Sequence, residues 1–78
     1  MDQKKFESIL SLIVSKVIDL IIENYNVDEL TASRKLYAST LYSVLENEET
    51  KIWHFSPLTL FNMYDEEVKT GKITFPEE

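Results

Sequence analysis

The sequence predicts a small, mainly α fold: a bundle of three or four helices with a long apolar N-terminal helix at its centre. Three observations carry that expectation. Apolar residues recur three and four apart from Phe6 to Ile22, the period of a helix. Ser56-Pro57 and Gly71 bracket a later stretch with start and stop signals: a preferred N-cap, a proline for the first helical position and a glycine terminator. The chain has 78 residues, 44% of them hydrophobic and nine of them aromatic, which suits a folded single domain, 1–78.

The first helix is expected from about Asp2 to Tyr25. Glu7, Ser8, Ser11, Ser15 and Asp19 make one narrow polar stripe, and a helix with so little polar surface is buried on most sides. Its β-branched residues lower helix propensity, so packing has to hold it. Two arrangements meet that need. The remaining helices wrap around it, or part of Phe6–Ile22 forms a dimer seam. Asn24-Tyr25-Asn26-Val27 ends the helix, because Asn tolerates the left-handed conformation at a helix end.

Asp28 is a good N-cap for the next helix, and Glu29 favours its positive end. Ser39-Thr40 predicts a bend that splits residues 28–47 into two helices. Glu46-Asn47-Glu48-Glu49 is an acidic turn. Thr50 to Phe55 is rich in aromatic and β-branched residues and reads as extended. Pro57 to about Thr70 is the last helix, with Leu58, Phe61, Tyr64 and Val68 on one face, Leu60 and Met63 beside it, and an Asp65–Lys69 pair at i,i+4. Residues 72–75 alternate and read as a short strand, which adds a minor two-stranded pairing with 50–55 as an optional feature.

Supply excludes several chemistries. No cysteine is present, so there is no disulfide framework, thiolate nucleophile or thiolate-held zinc. One glycine cannot make a glycine-rich phosphate loop, and one histidine cannot make a two-histidine metal site within a chain. No cofactor is expected. A small domain without disulfides or metal relies on close packing or an oligomer interface. The start lacks a signal-peptide pattern, and Ile9–Ile22 is too short and too interrupted to span a bilayer. A cytoplasmic protein with no membrane partner is the expectation.

The formal net charge is −6 and is unevenly placed. Residues 1–45 carry five basic against six acidic side chains, and residues 46–78 carry three against eight. Such a chain is a poor default ligand for nucleic acid, which needs clustered Lys and Arg. The paired helices at 28–47 raise a helix-turn-helix alternative, a dimeric DNA-binding regulator, but Arg34 and Lys35 are their only basic pair.

His54 is the only candidate histidine base, and it sits between Trp53 and Phe55 in a stretch expected to pack on the core. A structural role is the plainer reading. Glu46, Glu48 and Glu49, and separately Asp65-Glu66-Glu67, could offer oxygen ligands to a hard cation, but neither group has calcium-loop spacing. Both read as solvated surface. The aromatics Tyr37, Tyr42, Trp53, Phe55, Phe61 and Tyr64 lie among acidic residues, so core packing outweighs base stacking. A smaller share of that set suits a partner-binding hot spot. The candidate interaction residues are Trp53, His54, Phe55, Glu48, Glu49 and Asp65.

The segment LYASTLYSVLENEETKIWHFSPLTLFNMYDEE, Leu36 to Glu67, together with the closing TGKITFPEE, resembles short bacterial proteins of unknown function. It is also similar to a family encoded beside toxin-like genes. That resemblance implies a small bacterial protein, the non-toxic member of a toxin–antitoxin-like module, and it assigns no binding residues. The expectation from the residues is a non-enzymatic module that binds a protein partner through its acidic second half.

Overall fold

The computed structural model describes residues 3–73. Its order is α1 (Gln3–Tyr25), α2 (Glu29–Tyr37), α3 (Thr40–Leu45), two short 3-10 turns (Glu48–Thr50 and Ile52–His54) and α4 (Pro57–Thr70). It is a small helical bundle, as the sequence predicts. No strand occurs among the described residues. The extended reading of 50–55 is therefore corrected: 52–54 is a 3-10 turn anchored by the buried Ile52. That removes one half of the suggested pairing, and residues 74–75 of the other half lie outside the described residues.

α1 has 23 residues. At 1.5 Å per residue it is about 34 Å long, close to the 35 Å longest dimension of the molecule. Phe6, Ile13, Val14, Val17, Ile18 and Ile21 are its buried residues. Its polar face is wider than one narrow stripe, because Lys16 and Glu23 join the serines in water and Leu12 is 59% exposed. The helix is two-faced, and its apolar face packs against α2 and α4. Asn26 takes the left-handed conformation (φ 54°) just beyond its end, where Asn is among the better-tolerated residues.

The later helices begin and stop where local chemistry dictates. The Asp28 carboxylate accepts from the Thr31 backbone N–H at 2.9 Å. Ser56 accepts from the Thr59 N–H, Pro57 opens α4, and Gly71 closes it in the left-handed conformation (φ 78°). The split of 28–47 falls at Ala38-Ser39, and Ser39 is the N-cap of α3.

α3 has only six residues, so its free backbone donors form a large share of its polar groups. All four of its first N–H groups find acceptors. Those of Thr40 and Leu41 donate to the two oxygens of Glu67, each at 2.9 Å. That of Tyr42 donates to Ser39 Oγ, and that of Ser43 to the Ser39 carbonyl. Half the cap thus comes from α4, which packs along α3. The core gathers Val17, Ile21, Leu36, Leu41, Leu45 and Leu60, all fully buried, from the four helices.

Glu67→Ala should lower unfolding stability by about 1 kcal/mol, the usual cost of losing a helix cap, measured by urea denaturation. Glu67→Gln keeps one of the two acceptor oxygens and should lose less. A silent Glu67→Ala would mean that water caps α3 equally well.

Candidate functional site

The segment between α3 and α4 is built from interlocking local bonds. Asn47 accepts from the Glu49 N–H at 3.1 Å and so starts the first 3-10 turn. The Thr50 hydroxyl lies 2.8 Å from the carbonyl oxygens of both Val44 and Asn47, which ties that turn to the end of α3. Lys51 joins the two turns in the left-handed conformation (φ 59°), which is sparsely populated for a residue with a Cβ.

Trp53 is half-buried and makes three contacts. Its indole N–H donates to the Glu48 carbonyl at 3.1 Å. Its ring meets Phe6 of α1 edge-on, with centroids 5.9 Å apart. His54 stacks on it at 3.9 Å, with 26° between the ring planes. His54 itself is exposed.

Glu48, Glu49, Lys51, Trp53 and His54 line one open depression. Four of the six candidate residues therefore come together. Phe55 is half-buried against the core and does not line it. Asp65 does not line it either. Its carboxylate accepts from the Tyr25 hydroxyl and pairs with Lys69 at 2.9 Å. The acidic run 65–67 is consequently more than solvated surface, since Asp65 binds α1 and Glu67 binds α3.

Three contributors escape a reading of the sequence. Lys51 lines the depression and takes a left-handed backbone conformation, which nothing in its neighbours signals. Tyr25 and Glu67 act on partners 40 and 27 residues away. The hydrogen bond from Tyr25 is the main reason the Asp65 carboxyl is held below the usual carboxylate range, with Lys69 assisting. In turn, burial and then the bond to Asp65 push the Tyr25 hydroxyl well above the ordinary phenol range.

A second hollow lies between α1 and the α2–α3 pair, with Leu10, Val14 and Ile18 on one side and Tyr37 and Tyr42 on the other. The two tyrosine rings meet edge-on at 4.8 Å. Burial raises the Tyr42 hydroxyl above the usual phenol range, with Glu46 adding to the effect. Among the described residues, no group of three or more His, Asp or Glu side chains is placed to hold a metal ion. Compared with protein-family models, with curated proteins and with solved structures, the chain matches none.

The Tyr25–Asp65 bond gives stability a definite pH dependence. A carboxyl lowered in the folded state stabilises fully above its unfolded value, about 4. That contribution is lost as pH falls through the lowered folded value. A hydroxyl raised in the folded state stabilises below its unfolded value, about 10, and loses that contribution as pH rises further. Tyr25→Phe should unfold at lower urea than the parent at pH 7, and the gap between the two midpoints should narrow below about pH 4. A gap that stays constant down to pH 2 would separate Tyr25 from Asp65 energetically.

Proposed function

We propose that the chain is a non-enzymatic protein-interaction module of the bacterial cytoplasm that binds a basic protein partner through the depression of residues 48–54. One observation carries the reading: the structure gathers Glu48, Glu49, Trp53 and His54 into one accessible depression on the acidic half of the chain. Tryptophan is among the side chains that dominate protein interfaces, and the carboxylates beside it complement a basic surface. The lining places no hydroxyl or thiol beside His54 for it to activate. No described helix is long and apolar enough to cross a membrane.

An antitoxin-like role belongs to this reading, with an acidic domain masking a basic protein. The DNA-binding alternative gains nothing from the geometry. α3, which would have to enter a groove, is six residues long and carries no Lys or Arg. Self-association through the Phe6–Ile22 helix is a separate part of the proposal, supported by the exposure of Leu12 on α1.

Affinity capture from the native host, compared between the parent and a Glu48→Lys plus Glu49→Lys variant, tests the partner. A basic protein retained by the parent and lost by the variant supports the reading. Equal retention by both removes the depression from it. Sedimentation equilibrium at micromolar concentration tests self-association: a dimer whose affinity drops with Leu12→Glu is expected, and a strict monomer ends that part.

A further inference from the structure

The chemistry of the depression narrows what the partner presents to it. The lining combines a stacked indole–imidazole pair with the acidic residues Glu48 and Glu49. Trp53 is already engaged by Phe6 at its ring and by the Glu48 carbonyl at its N–H. His54 covers one indole face and is itself exposed. The outer face of the imidazole is therefore where another flat group can be added.

A guanidinium fits that setting better than an ammonium. It is planar, weakly hydrated, stacks on rings, and presents paired N–H donors to a carboxylate. An ammonium is a compact, strongly hydrated point charge with no plane to stack. We infer that the depression receives an arginine side chain of the partner, stacked on His54 and paired with Glu49. This rests on the interaction reading above and names the anchor for it.

Lys51 opposes the incoming cation. It lines the same depression as Glu49, so its ammonium competes with the incoming cation for that carboxylate. Removing that ammonium should therefore tighten binding, whereas damage to the surface would weaken it. Lys51→Asn is the suitable change, because Asn tolerates the left-handed backbone at this position (φ 59°).

Trp53 is the only tryptophan of the chain, so its emission reports on the depression directly. The full chain at low salt is titrated with the tripeptide N-acetyl-glycyl-arginyl-glycinamide, its lysine counterpart and its citrulline counterpart. The arginine peptide should give a saturable change in emission. The lysine peptide should bind about two- to fivefold more weakly, the worth of one exposed cation–π contact. Citrulline, a neutral isostere of arginine, should not bind. His54→Ala should weaken arginine binding by a similar factor, and Lys51→Asn should tighten it about twofold, the scale of a surface charge pair.

Equal affinity for the arginine and lysine peptides, binding of the citrulline peptide, or no saturable change overturns the inference. So does weaker binding by Lys51→Asn. A partner that is captured by the parent chain and lost with the Glu48 and Glu49 reversals, while the arginine peptide fails to bind, leaves the interaction reading standing and removes the arginine anchor alone.

Discussion

Val17 and Ile21 of α1 are fully buried, and the helices that pack on α1, α2 and α4, are each shorter than it. α4, the longer of the two, has 14 residues and so reaches only about 21 Å. Coverage of an α1 nearly 35 Å long has to be shared among elements. α2 and α4 lie along it, and the N-terminal end at Phe6 is met by Trp53 from the turn between α3 and α4. The position of that turn follows from the length of α1. The turn keeps Ile52 and one side of Trp53 against the core and leaves His54 in water.

The second half of α4 ties the bundle together through polar contacts. Residues two apart on a helix point in different directions. Asp65 and Glu67 are two apart, and they reach different neighbours: Asp65 the Tyr25 hydroxyl at the end of α1, Glu67 the open N-terminus of α3. One short acidic run thereby fixes α4 against both helices. Two of the eight acidic side chains in the second half of the chain, Asp65 and Glu67, thus hold helices together, and Glu48 and Glu49 line the depression.

Local signals were readable in the sequence, and long-range ones were not. The caps at Asp28, Ser39 and Ser56 and the stop at Gly71 all sit where the residue types place them, because each acts within three or four residues of itself. The stretch 50–55 misleads, since β-branched and aromatic residues favour strands when half-buried. Here the same residues serve as turn anchors, with Ile52 in the core and the Trp53 N–H bonded five residues back. The depression was half legible. Trp53, His54, Glu48 and Glu49 stand out by composition, but Lys51 lines it from a left-handed backbone position, and Asp65 leaves through a hydrogen bond to a residue 40 positions away. Sequence proximity to an aromatic cluster says little about which acidic side chain faces it once the chain has folded.

Buried and exposed duties at residues 48–54 divide between neighbouring side chains. Trp53 holds Phe6 and the Glu48 carbonyl, so shortening it would disturb the end of the core as well as the surface. His54 and Glu49 are exposed, and exposed side chains away from the core usually change stability by less than about 0.5 kcal/mol when replaced. Substitutions at these exposed positions leave the bundle intact, because His54 and Glu49 are not among the residues that cover α1. Trp53 is the exception, since it lines the depression while packing on Phe6. Charge and ring type can therefore vary at 49, 51 and 54, while the indole stays tied to the packing of α1.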